Sequence, residues 1–269
     1  MRTIAMVLIG LSFALGIGSN ASALETCEGK SRQMTDLTGY SAGQYQSFLA
    51  PWNKGNYIQG RDYTECIGYD EATFPNRQVI AWNWPAQPPR TRGVYNFLAV
   101  DFGNYFDTPV KEPIPPKAIA DIKLLRQSFA LVFHGDPQSY NVIQNMFLTS
   151  APGDMKRRLF EIEIFLRTPN PSAQYVRSAT PIGTFEISGQ RWVATIDWRH
   201  HRGLPDILIV PENLEDIPVA SIDVKAFLDR LTKARILTGR EYFNGIGLGV
   251  EVLNGSGSVV FDNLSTKYE

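Results

Sequence analysis

The stretch RLFEIEIFLRTPN, Arg158 to Asn170, sets two glutamates two residues apart inside an otherwise apolar run. Successive side chains on a strand point to opposite faces, so Phe160, Ile162, Ile164 and Leu166 share one face while Glu161, Glu163 and Phe165 share the other. A helix fits worse, because the apolar residues recur with period two and Thr168-Pro169-Asn170-Pro171 closes the run as a turn. One face is core and the other carries paired acids. The plain reading is a half-solvated strand; the sharper one is a site.

The same rhythm extends outward in both directions. Short alternating runs such as RQVIAWNW, SFALVFH, YNVIQNMFL, TFEISG, RWVATIDW and DILIVPE are separated by Gly, Pro, Asn and Asp, the pattern of an antiparallel sandwich or jelly roll. Two proline-rich segments, from Pro85 and from Val110, read as loops, since strand-like sequence resumes at once. One segment differs: Ser221 to Leu237 carries Val224, Phe227, Leu228, Leu231 and Ile236 at helical spacing, with Ser221 as N-cap and Asp223 in the first turn. Two further strands follow, joined at Asn254-Gly255-Ser256-Gly257. The fold class is therefore all-β, with one amphipathic helix packed on the sheets.

Arg2, the apolar stretch Ile4 to Ile17 and the small residues Ala21-Ser22-Ala23 have the layout of a secretory signal peptide, residues 1–23. A retained anchor fits less well, because Gly10, Ser12 and Gly16 interrupt a run that is short for a membrane span. Residues 24–269 are expected to form a single domain, secreted or periplasmic. A formal net charge of -1 argues against nucleic acid or an anionic membrane as partner. Cys27 and Cys66 are the two cysteines, and in an exported chain they are expected to form one disulfide, worth on the order of 3–4 kcal/mol in the loop-entropy account.

In GIGLGVEVLNG the alternation sends Gly247, Gly249 and Glu251 to one face. A carboxylate beside two glycines leaves a bare patch into which a ligand fits; the alternative is an edge strand with an exposed acid. The order of FEIEIFL, TPIGTFEISGQRW, the lone helix DVKAFLDRL and LGVEVLNGSGSVVFDNLS resembles glycoside hydrolase family 12, the jelly-roll endoglucanases and xyloglucanases, over most of the mature chain. The resemblance implies a retaining, endo-acting hydrolase of β-1,4-glucans such as cellulose, mixed-linkage glucan or xyloglucan, with Glu161 as nucleophile and Glu251 as general acid/base. Such chemistry needs one carboxylate at the anomeric carbon and one acid at the leaving oxygen, without a cofactor.

The departures from the family pattern are specific. Asn145 in IQNMF stands where the family has an Asp that hydrogen-bonds the nucleophile; an amide still donates but brings no charge. Glu163 replaces a Met and Phe165 a Trp. Asn145 and Glu163 are thus expected to tune the nucleophile. Flat rings stack on sugars, so Trp52, Trp82, Trp84 and Phe165 are candidate substrate contacts, although sandwich cores also bury tryptophan. The same resemblance places Tyr95, Asn96 or Asp101 near the cleft. His134 and the pair His200-His201 lack a metal-ligand spacing, and no metal is expected. The expected partner is a polysaccharide bound by a monomer with no membrane contact after signal removal. Two rival readings remain: a jelly roll that binds glycan without turnover, and a hydrolase of another polysaccharide whose substrate Glu163 reads.

Overall fold

The computed structural model of the protein describes residues 40–86, 93–106, 110–199 and 203–269. The expected signal peptide, Cys27 and the His200-His201 pair lie outside the described residues; Cys66 is buried on a strand of the smaller sheet.

Sixteen strands form two sheets among the described residues. In chain order they are β1 (Ser41–Ala42), β2 (Tyr45–Ala50), β3 (Thr64–Gly68), β4 (Gln78–Trp84), β5 (Phe97–Gly103), β6 (Lys117–Ala118), β7 (Leu125–Gly135) and β8 (Tyr140–Thr149). Then come β9 (Arg158–Arg167), β10 (Thr180–Ile187), β11 (Gln190–Asp197), β12 (Asp206–Pro211), β13 (Val219–Asp223), β14 (Tyr242–Phe243), β15 (Gly245–Val252) and β16 (Gly255–Tyr268). The larger sheet runs β1-β2-β5-β15-β8-β9-β12-β11-β10, with β14 bridging β8 and β6; the smaller runs β13-β7-β16-β4-β3. Pairing is antiparallel except between β9 and β12. The molecule is a β-jelly roll.

Alternation decides which residues fill the space between the sheets. Ile162, Ile164 and Leu166 of β9, Leu248, Val250 and Val252 of β15, and Ile207 and Ile209 of β12 all enter one core with Trp82, Trp84 and Phe261 of the smaller sheet. Burying each such side chain is worth about 1.5–3 kcal/mol. The outer face of the larger sheet consequently receives the odd-numbered residues of β9, β15, β8 and β5, glutamates included.

Two α-helices flank the sheets. The expected amphipathic helix is α2 (Val224–Lys233), which buries Val224, Phe227, Leu228 and Leu231, with Phe227 edge-on to Trp192 at 5.1 Å. Its N-cap is Asp223, whose side chain accepts from the Ala226 amide at 3.0 Å; Ser221 belongs to β13 and pairs its hydroxyl with Ser128. The other helix, α1 (Asn170–Ser178), begins where the sequence shows a proline turn. Proline is tolerated in a first helical turn because its missing N–H has no partner there, so Thr168-Pro169-Asn170-Pro171 ends one element and starts the next.

The last strand turn is anchored from beneath. The Glu65 carboxylate, buried on β3, accepts from Trp84 Nε1 at 2.7 Å and from the Asn96 amide, and Asn96 Oδ1 accepts from the Val252 amide at 3.0 Å. Burial pushes the Glu65 carboxyl up to about 7, against the pull of those donors and of Lys54. The folded value stands above the ordinary one, so the stability Glu65 contributes is whole below about pH 4.5 and is lost as pH rises through about 7. Glu65→Gln keeps an acceptor and has no proton to lose. Its stability relative to the native chain should therefore improve by roughly 3 kcal/mol between about pH 4 and about pH 8, measured by denaturant unfolding; an unchanged difference refutes the assignment.

Candidate active site

Register across the larger sheet collects the acids. On the outer face Glu163 of β9 stands opposite Asn145 of β8, Asn145 opposite Gly247 of β15, and Gly247 opposite Asp101 of β5. Glu161 pairs with Phe147 on one side and, across the parallel step, with Asp206 on the other. Glu251 stands opposite Asn141. The central strand β8 thus separates the two glutamates implied to be catalytic and offers an asparagine to each.

Those asparagines make matching contacts. Asn145 Nδ2 donates to Glu161 Oε1 at 2.9 Å, and its own carbonyl accepts from the Tyr105 hydroxyl at 2.8 Å. Asn141 Nδ2 donates to Glu251 Oε2 at 2.8 Å, and its carbonyl accepts from the Ser172 hydroxyl at 2.6 Å. A hydroxyl on the carbonyl end fixes which end of the amide faces the carboxylate. Each glutamate is aimed by a side chain that is itself aimed.

Burial dominates the electrostatics. It raises the Glu251 carboxyl to about 8, with the charge of Glu161 adding to the rise and the Asn141 bond opposing it. Glu161, half-buried, is raised by desolvation and drawn back by Asn145 and by the Arg158 guanidinium, which stacks 4.9 Å from the Phe147 ring. Glu163 is held well above the usual carboxylate range by burial and then by Glu251, Asp206 and Glu161. Asp206 is likewise raised by burial and by Glu161, Glu251 and Asp197, with hydrogen bonding from Tyr175 opposing. Environments that push two carboxyl groups apart separate an acid from a nucleophile: Glu251 has the protonated character of an acid, and Glu161 is the one with an amide donor and a cation beside it.

Several expectations are corrected. Trp82 and Trp84 are 4% and 2% exposed in the inter-sheet core; Trp84 is sandwiched between Tyr63 at 3.8 Å and Tyr95 at 4.2 Å, and Trp82 meets Tyr140. Neither reaches the outer face, so neither stacks on a sugar there. Tyr95 and Asn96 share that inner position. Phe165 does lie on the outer face, but it is 1% exposed inside an apolar cluster with Ile143, Leu208 and Val210. Trp52, beyond β2, is 43% exposed and keeps its place as a candidate contact. The glycines beside Glu251 do not leave a bare patch: a Cβ on Gly249 would meet the Leu98 carbonyl at 2.4 Å and the Phe97 ring at 2.7 Å, and one on Gly247 would meet Asp101 at 2.7 Å. Close approach of β5 explains them.

Asp206, Tyr105, Asn141 and Ser172 were not singled out from the sequence. Alternation in DILIVPE places Asp206 on the face opposite Ile207, but its neighbour Glu161 is reached only through the parallel β9–β12 pairing, which no local pattern announces. Among the described residues no group of acids, histidines and cysteines is arranged to hold a metal.

No family model matches the chain, and no curated protein matches it by sequence. Solved structures do match in shape. A family 12 xyloglucanase from Bacillus licheniformis in complex with ligand is 16% identical with a TM-score of 0.73, covering 89% of this chain and 99% of that one. The catalytic domain of Humicola grisea Cel12A with a soaked thio cellotetraose is 16% identical, TM-score 0.69, over 87% and 98%. The xyloglucanase domain of NopAA from Sinorhizobium fredii, in complex with cellobiose, is 16% identical, TM-score 0.65, over 88% and 100%. The chain has the jelly-roll fold that these three hydrolases share.

Proposed function

We propose that the chain is a divergent member of glycoside hydrolase family 12, an exported single-domain enzyme with a Cys27–Cys66 disulfide that cleaves β-1,4-glucan linkages with retention. The observation that carries the reading is the pair Glu161 and Glu251 on strands flanking β8, each bonded by an asparagine; burial, which raises the Glu251 carboxyl to about 8, supports it. That two of the structural neighbours hold a thio cellotetraose and cellobiose supports the substrate class.

In this reading the ionised Glu161 attacks the anomeric carbon while Glu251 gives its proton to the departing glycosidic oxygen. The bond between sugar and Glu161 then breaks as water attacks the same carbon, its proton passing to Glu251. Positive charge grows on the sugar ring at both barriers, and the carboxylate of Glu161 beside it stabilises that charge. Asn145 supplies a neutral donor where the family has a charged neighbour, so it directs Glu161 and lowers its proton affinity, where a like charge would raise it.

A second reading, glycan binding without turnover, is favoured by the same amide and by the burial of Glu251, 8% exposed. Turnover assays separate the two. Glu161→Gln should lower kcat on β-glucan at least about 10³-fold and Glu251→Gln about 10²–10⁴-fold, with the first product in the β configuration by proton NMR; full activity in both variants refutes the mechanism. The pH dependence follows from the two roles. Activity requires protonated Glu251, so kcat/KM should fall as pH rises through about 8; it requires ionised Glu161, so the acid limb should lie above the ordinary glutamate value. Tyr105→Phe frees the Asn145 amide, and kcat should drop about 5–10-fold with KM unchanged, while the acid limb moves to higher pH because the ionised form of Glu161 loses its aimed donor.

A further inference from the structure

The outer face is covered on both sides of the acids. On the β12 and β11 side stands α1, which buries Ala173 and Val176. Val176 joins the apolar cluster of Phe165, Leu208 and Val210, and the helix faces Val193 and Thr195 across a small apolar pocket. Two hydroxyls tie it down: Ser172 to Asn141 at 2.6 Å, and Tyr175 to Asp197 at 3.1 Å. On the β5 side the chain leaves Gly103 and folds back over β15, so that Tyr105 reaches Asn145 on β8 at 2.8 Å and packs on Phe147 at 5.6 Å. Gly245 makes room for this crossing, since a Cβ there would meet the Tyr105 amide nitrogen at 2.6 Å.

A polymer cut in its interior must enter and leave across the strands. The outer-face row from Asp101 through Asn145 and Glu163 to Leu208 and Thr195 is covered at both ends: Asp101 and Leu208 are 0% exposed and Thr195 is 4% exposed. Glu161, beside them, is only half-buried. The Glu161 end of the strands is thus the more open side of the acids, since Glu163 and Glu251 are each 8% exposed.

We propose that the site is a pocket closed by α1 and the Tyr105 crossing, taking a glycan chain end or a short oligosaccharide instead of the interior of a polymer. This rests on the reading of Glu161 and Glu251 as a β-1,4-glucan site and replaces the endo mode expected from the resemblance. An internal cutter binds at many points along one chain; an end-binding pocket binds once.

The test uses the full mature chain. With Glu161→Gln to stop turnover, a ladder of cello-oligosaccharides and a long soluble β-glucan are titrated calorimetrically. One protein per glucan chain at every length is expected. Several proteins on each long chain overturn the pocket alone, and absence of binding to every oligomer overturns the site reading together with it. The native enzyme supplies an independent arm: reducing ends should accumulate while solution viscosity holds, and a viscosity collapse at few cleavages refutes the proposal. Val176→Asp, which puts a charge against Phe165 and Val210 and lifts α1, should convert the pattern to internal cleavage. Unchanged end cleavage in a folded Val176→Asp chain removes α1 from the explanation; if that variant does not fold, native viscosity and stoichiometry still decide.

Discussion

Five carboxyl groups, Asp101, Glu161, Glu163, Asp206 and Glu251, share one desolvated sheet face, and most of the local structure answers to that crowding. A buried carboxylate left ionised without partners is strongly unfavourable, so such groups either take up protons or gather donors. Both responses are present. Glu163 and Asp206 are pushed toward the protonated form, while Glu161 gathers Asn145 and Arg158 and Glu251 gathers Asn141. Each donor needs a fixed orientation, and this is why hydroxyls from two distant segments, Tyr105 after β5 and Ser172 in α1, converge on the two amides of β8.

That arrangement gives α1 and the Tyr105 crossing two tasks. They orient the asparagines, and in reaching them they cover the face. Positioning and enclosure are one structural fact here, because a side chain that arrives from above the sheet to hold Asn141 or Asn145 also excludes solvent from its neighbours. Excluding water in turn strengthens the interactions among the acids, so the separation of Glu251 from Glu161 in proton affinity is a product of the same cover.

Much of this was legible in the sequence because alternation is strict where a sheet separates core from outer face. It assigned Ile162 and Glu161 to opposite sides of β9, and Leu248 and Glu251 to opposite sides of β15. The same rule misled where its local partners were ignored: Trp82 and Trp84 share parity with Ile80, which is fully buried, so QVIAWNW carried its own signal that both rings enter the core. The glycines of β15 read as empty space because the close approach of β5 is a long-range pairing. For α1 the obstacle was different. A proline at the N-cap and another in the first turn look like a loop when read residue by residue, and the burial of Ala173 and Val176 against the sheet holds the segment helical, as packing usually does for so short a helix.

Glu163 is the residue on which the sequence and the structure pull in different directions. As a third charge on this face it would repel Glu161 and Glu251 and blunt the division of roles proposed for them. Its surroundings oppose that: burial first, at 8% exposed, and then Glu251, Asp206 and Glu161 disfavour its ionisation, against a hydrogen bond from Asn145. Held toward its protonated form by burial, it keeps an O–H that an apolar side chain lacks. A neutral acid in an enclosed pocket is a hydrogen-bond donor that a sugar hydroxyl can satisfy, and a donor of that kind discriminates most strongly where water is excluded, since a ligand lacking the matching hydroxyl leaves it unpaired. In the proposed pocket, enclosure by α1 would turn an otherwise disruptive glutamate into a group that reads a sugar hydroxyl.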